Sequence, residues 1–169
     1  MSKQVLDGVK VADFSWVAVG PCSTRYLADH GATVVRIESM QHPETLRSAG
    51  PFKNNEVGVN KSGFFGRYNA NKYSAALNLQ HPKAKELIIK FVQWADLVTE
   101  SFAPGVAKRL GLGYEELKMV KPDLIMISTS NQGQTGPYAQ MPGYGQQTTS
   151  LTGFTNLTGW PGRDPSIIH

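Results

Sequence analysis

The sequence predicts an α/β domain on a mostly parallel sheet, and three features lead there. Short apolar, β-branched runs recur along the chain, helical stretches separate them, and glycine or proline marks the joints. Residues 9–14, VKVADF, are a mostly apolar run ended by Gly20-Pro21, the pattern of a buried strand. Residues 23–30 read as a short helix, capped by Ser23 or Thr24 and stopped by Gly31. Residues 32–38, ATVVRIE, form a second strand. Strand, helix and strand in so short a span make a βαβ unit, hence a parallel pair.

Residues 39–68 read as irregular, and a loop of that length is usually functional or disordered. A strand over 74–79 follows. Pro82 then opens an amphipathic helix through Ala95, with Leu87, Ile88, Phe91, Val92 and Trp94 as its apolar positions. A strand over 96–100 precedes two short helices, 104–110 and 114–120, which Gly111 and Gly113 separate. A strand over 123–128 comes next, then a Gly/Gln/Thr-rich stretch and a helix over 145–151. A turn cluster at 161–165 leads into Ser166-Ile167-Ile168, which read as the start of another strand.

Composition narrows the function. The chain has 169 residues, 40% apolar and 18% charged, enough for one domain with a real core. It has no apolar run long enough to span a membrane, and residues 1–7 lack the apolar segment of a secretory signal. The single cysteine, Cys22, excludes an internal disulfide and fits a reducing cytoplasm. One cysteine and four scattered histidines give no metal-ligand spacing. The whole +4 excess lies in residues 51–120, with ten Lys/Arg against six Asp/Glu. Such a middle suits a phosphorylated small molecule or a nucleic acid, or it is a solvated lysine-rich surface. Interleaved aromatics of a nucleic-acid motif are missing.

In open sheets of this kind ligands bind beyond the carboxyl ends of the strands. Those ends read SWVAVGP at 15–21, ESM at 38–40, ESFAPG at 100–105 and STSNQG at 128–133. Small residues, glycines and hydroxyls there let backbone N–H groups approach a ligand, although Gly20-Pro21 also reads as a plain turn. NAD, NADP and FAD are disfavoured because only Gly20 stands where a G-x-G-x-x-G loop would need three glycines. A P-loop is missing as well. Lys72 and Arg109 are candidate phosphate cations. Their alternatives are a solvated loop lysine and a cation at a helix C-terminus.

The ordered set of motifs resembles the class III CoA-transferases, the group of formyl-CoA transferase, carnitine CoA-transferase and the acyl-CoA racemases. The pieces are GP at 20–21, LADHGATVVRIE at 27–38, NANKYSAALNL at 69–79, WADLVTESFAPGVAKRLGLGYEEL at 94–117, KPDLIMIS at 121–128 and GQTGPY at 133–138. The resemblance implies a Rossmann-like, CoA-binding N-terminal domain of a larger intertwined homodimer, with the second domain absent from this chain. It implies that Ala18 and Val19 face CoA through their backbone and that Ser39 lies near the nucleotide end. Ala70, Asn71, Lys72 and Tyr73 would line the same crevice, with Ser101, Phe102 and Arg109. Ser130, Asn131, Gln132 and Gly133 would approach the pantetheine arm. The family often has Asn at Ser101 and Arg at Tyr73; Tyr73 could instead stack on adenine.

The resemblance further implies CoA transfer from an acyl-CoA donor to a carboxylic acid, without metal or NAD, through an aspartyl anhydride and an aspartyl-CoA thioester. The family's nucleophilic aspartate falls beyond His169, and Asp164, in an Arg-Asp-Pro turn, does not match it. The alternative is a CoA-binding module without catalysis. A racemase is disfavoured because Tyr144 stands where its second acid–base histidine belongs, and an ordinary tyrosine titrates near 10.

Overall fold

The computed structural model describes residues 3–166, so Ile167 and Ile168 of the last predicted strand lie outside the described residues. Strands β1 (Lys10–Phe14), β2 (Thr33–Glu38), β3 (Tyr73–Ala76), β4 (Leu97–Glu100) and β5 (Ile125–Ser128) form one sheet in the order β3-β2-β1-β4-β5. Every pairing is parallel. The winding runs outward from β1 through β2 to β3, then crosses back to β4 and β5. That reversal puts the topological switch point between β1 and β4.

The helices are α1 (Val19–Asp29), α2 (Gly63–Asn69), α3 (Ala84–Trp94), α4 (Val106–Arg109), α5 (Tyr114–Val120) and α6 (Gly145–Leu151). The chain divides into two compact units, residues 1–129 and 130–169. The first holds the whole sheet. The second holds α6, a 3-10 turn at Phe154–Leu157 and a turn in which the Arg163 N–H donates to the Trp160 carbonyl at 3.1 Å. Asp164 follows that turn and is exposed.

Alternation along β1 divides the core between the two faces of the sheet. Ala12 and Phe14 pack on one face with Ile88 and Val92 of α3 and Leu117 of α5. Burying an aliphatic side chain such as Ile88 contributes roughly 1.5–3 kcal/mol. Phe14 meets Phe91 edge-on, with ring centroids 5.9 Å apart. On the other face Val11, Val34 and Leu97 pack with Ala28 of α1.

Three elements differ from the sequence expectation. Helix α1 begins at Val19, not at residue 23, so Gly20-Pro21 is its first turn and not a terminating turn. Proline is tolerated there because a first-turn N–H has no intrahelical partner. Residues 39–68, read as irregular, contain most of α2, whose N-cap Ser62 accepts the Phe65 N–H on its hydroxyl at 3.1 Å. β3 ends at Ala76, although the Leu77 N–H still donates to the Glu38 carbonyl of β2 at 2.8 Å.

Two glycines give opposite predictions. A Cβ on Gly20 would overlap Ser15 Cβ and lie 2.6 Å from its hydroxyl, whereas one on Gly66 would meet nothing within 4 Å. Gly20→Ala is expected to lower stability by about 1–3 kcal/mol through overpacking. Gly66→Ala, inside α2, is expected to raise it by about 0.5–1 kcal/mol. Urea midpoints of the two variants check both signs.

Candidate functional site

At the carboxyl end of the central strand sits a fully buried carboxylate, Asp13. Its Oδ1 accepts the Ser15 N–H at 2.9 Å, the Thr99 hydroxyl at 2.9 Å and the Ser15 hydroxyl. Its Oδ2 accepts the Thr24 hydroxyl at 2.7 Å and the Lys72 ammonium at 3.1 Å. Burial alone pushes this carboxyl up, but Lys72 and the Ser15 and Thr24 donors outweigh it and hold the group below its ordinary 3.8. Asp13 thus ties β1 to α1, to β4 and to the segment entering β3.

Lys72 spends its donors inside the protein. Besides Asp13, its ammonium donates to the Pro21 carbonyl at 2.8 Å and to Asn69 Oδ1 at 3.0 Å, and its side chain is 1% exposed. An ammonium has three N–H bonds and all three are used. Burial pushes this ammonium down, and the Asp13 charge opposes that. The solvated-lysine reading is therefore overturned, and no Lys72 N–H remains for a phosphate.

A second buried cluster fastens the 39–62 loop beside β2. Arg36 pairs with Glu38 at 3.2 Å and with Glu44 at 3.1 Å, while Arg47 Nη2 reaches Glu38 at 3.0 Å. The Phe65 ring of α2 lies under both guanidiniums, 3.6 Å from Arg47 Cζ and 5.0 Å from Arg36 Cζ. Burial pushes Glu38 up, yet the Arg47 bond, the Glu44 N–H and the Arg36 charge bring it below its ordinary 4.5. Arg36 is thus neutralised by two carboxylates.

Next to Asp13 in sequence, Phe14 faces the other side of the sheet and lines a cavity of about 450 Å³. Ile37, Glu38, Ser39 and His42 form its wall at the end of β2, and residues 77–80 at the end of β3. Trp16 comes from the β1 exit; Phe102, Val106 and Leu110 come from the β4 exit and α4. The cavity therefore opens at the carboxyl ends of β1, β2 and β3 and reaches toward β4. Aromatic and aliphatic walls with a few polar groups suit the flat, apolar part of a small ligand.

Of the residues singled out from sequence, Ser39 and Phe102 line this cavity directly. Arg109 is the last residue of α4, between the lining residues Val106 of that helix and Leu110 at its C-cap; it is exposed and has no ion pair among the described residues. Ser101 has a structural duty: its hydroxyl accepts the Trp16 N–H at 2.7 Å and donates to the Trp16 carbonyl at 3.1 Å. Ala18 is the N-cap of α1 and Val19 its first residue, 69% exposed. Ala70 closes α2, Asn71 donates to Asp29 at 2.5 Å, and Tyr73 begins the edge strand β3 in an exposed position. Ser130, Asn131, Gln132 and Gly133 belong to the second unit, where Asn131 donates to the Gly143 carbonyl. Tyr144 is there too, exposed at the N-cap of α6, with its N–H on Gln147 Oε1 at 2.5 Å.

Sequence reasoning missed Asp13, Glu44 and His42. A buried aspartate inside an apolar strand was a legible signal, because such a charge needs a partner. Glu44 and His42 lie in an aperiodic loop that announces neither burial nor direction.

A doubly wound parallel sheet with a cavity at its carboxyl edge is the open α/β architecture in which ligands bind beyond the strand ends. The chain belongs to CoA-transferase family III, whose family model matches residues 6–169. It is 37% identical over 166 residues to acetyl-CoA:oxalate CoA-transferase of Acetobacter aceti, a match covering 98% of this chain and 41% of that protein. It is 33% identical over 165 residues to succinyl-CoA:glutarate CoA-transferase of Mus musculus, covering 97% and 37%. A crystal structure of a CAIB/BAIF family protein from Brucella suis superposes with a TM-score of 0.90 at 34% identity, over 99% of this chain and 44% of that one. The chain thus spans well under half the length of these relatives.

The two buried carboxyls set an acid limit. Each titrates lower when folded than unfolded, so its stabilisation is complete above the ordinary values of 3.8 and 4.5 and is lost as pH falls through the lower folded values. Thermal midpoints should therefore hold down to about pH 5 and fall below about pH 4. Lys72→Met, which strands the Asp13 charge, is expected to cost about 3–5 kcal/mol at neutral pH. The gap from the unaltered protein should narrow in acid, where Asp13 is protonated.

Proposed function

We propose that this chain holds coenzyme A for a transferase that moves CoA from an acyl-CoA to a carboxylic acid. The observation that carries the reading is the apolar cavity at the carboxyl edge of the sheet, in a chain whose family is CoA-transferase family III. CoA offers such a site a flat base and a set of phosphates. The base enters between Phe102, Leu110 and Ile37, with Ser39 at the rim and Tyr73 outside it. Arg109, a cation without an ion pair among the described residues, meets a phosphate through its guanidinium fork. The amides of Ala18 and Val19 face the ligand from the β1 exit, where a first helical turn leaves N–H groups unpaired. The protein works in a reducing cytoplasm as a homodimer.

Chemistry in this reading needs a carboxylate nucleophile. Among the described residues Asp13 is buried and saturated with donors, so it cannot attack. The nucleophile is an aspartate beyond His169. Its carboxylate attacks the thioester carbonyl, CoA thiolate leaves, and a mixed anhydride forms. The thiolate returns to the aspartyl carbonyl and releases the donor acid. The acceptor carboxylate attacks the aspartyl thioester and expels the thiolate, giving a new anhydride. Thiolate attack on the acceptor carbonyl then forms the product thioester and frees the aspartate. The saturation of Asp13 also favours a second reading for this polypeptide alone, CoA binding without turnover.

Calorimetric titration of CoA tests the binding claim. Arg109→Ala is expected to weaken binding about tenfold, the worth of one charge-assisted contact, and to flatten its salt dependence. Unchanged affinity would remove Arg109 from the site. Intact mass of the protein from its source, with a chromatographic assay of CoA exchange between acyl-CoA donors and dicarboxylates, separates the two readings. A chain of 18.5 kDa that binds CoA without exchange would leave the binding module.

A further inference from the structure

Val17 has a φ of 69°, in the left-handed region that a β-branched residue enters only against steric cost. It is 39% exposed, so core packing does not force it there. Its N–H donates at 3.0 Å to Oε1 of Glu44, a side chain with 0% exposure that lies 27 residues along the chain. The same oxygen accepts the Leu46 N–H at 3.2 Å, and Oε2 takes the Arg36 guanidinium at 3.1 Å. The Glu44 N–H in turn donates to Glu38 Oε1 at 3.1 Å. Glu44 is therefore immobilised from three directions before it touches Val17. On the other side of the turn the Ser101 hydroxyl pins Trp16. Ala18, the N-cap of α1, follows directly.

We infer that Glu44 is a positioning residue: it holds Val17 in the left-handed conformation and so sets the direction in which the Ala18 and Val19 amides present to the nucleotide. The inference rests on the reading above that these amides face CoA. Folding of the 39–62 loop onto β2 is then what prepares the β1 exit for ligand. Arg36 bears on this turn through Glu44, and on the cavity wall through Glu38. The cluster works as a peg: a rigid acceptor at one point replaces the glycine that a left-handed turn otherwise favours.

Amide hydrogen exchange and CoA titration on the same proteins test it. In the unaltered protein the Val17 amide should be protected and should exchange together with that of Leu46, since both rest on one oxygen. Glu44→Gln keeps that acceptor and should retain Val17 protection and CoA affinity within about threefold, despite a lower thermal midpoint from the lost charge pair. Glu44→Ala should release the Val17 amide while Val11 and Ala12 stay protected, and should weaken CoA about tenfold. Adding Val17→Gly to Glu44→Ala removes the steric cost and should restore most of the affinity. A Val17 amide unprotected in the unaltered protein overturns the inference, even if Glu44→Ala fails to fold. So does a double variant that binds no better than Glu44→Ala. If the unaltered protein binds no CoA, the functional reading fails, while Val17 exchange still decides whether Glu44 holds the turn.

Discussion

A charge buried at the end of a central parallel strand has to be answered by everything around it, and Asp13 imposes that condition here. Its five donors come from the β1 exit, from α1, from β4 and from the segment before β3. An ionised carboxylate without such partners costs several kcal/mol in a dry interior. The four segments are therefore held at one point, at the edge where ligands of this architecture bind. Gly20 belongs to the same constraint, since only a residue without Cβ lets α1 approach Ser15 closely enough for Thr24 to reach the carboxylate.

The sheet keeps this polar anchoring and the apolar cavity apart. Asp13 and Phe14 are neighbours in sequence and face opposite sides, one into the donor cluster toward α1, the other into the cavity. The side with Asp13 supplies rigidity; the side with Phe14, Ile37 and Phe102 supplies surface for a ligand, with Glu38 at its wall. Ser101 and Glu44 carry the rigidity across, because each reaches from a neighbouring strand or loop to the backbone of Trp16 or Val17.

The charge excess of the middle segment takes on a different meaning in three dimensions. Lys72 is neutralised internally by Asp13, and Lys61 and Lys90 pair with surface glutamates. Exposed pairs of that sort contribute little to stability, about 0–1 kcal/mol. A count of lysines therefore overstates the positive field offered to a phosphate; Arg109, exposed and without an ion pair among the described residues, is one of the cations that keep their charge for solvent or ligand.

The sequence by itself determined the α/β class, the order of strands and helices and the family, because β-branched runs, helical periodicity and short ordered motifs are local signals. It indicated the crevice too, since strand ends are marked by Ser39, Phe102 and their small neighbours. It misread Gly20-Pro21 as a stop and residues 63–68 as loop, because a first helical turn and a terminating turn use the same residues. Only the tertiary structure decided that Lys72 is an internal counterion, that Ser101 is a brace and that Glu44 reaches Val17. Those roles are contacts between residues 27 to 85 positions apart, and a charged side chain carries no mark of its partner until the sheet brings the two together.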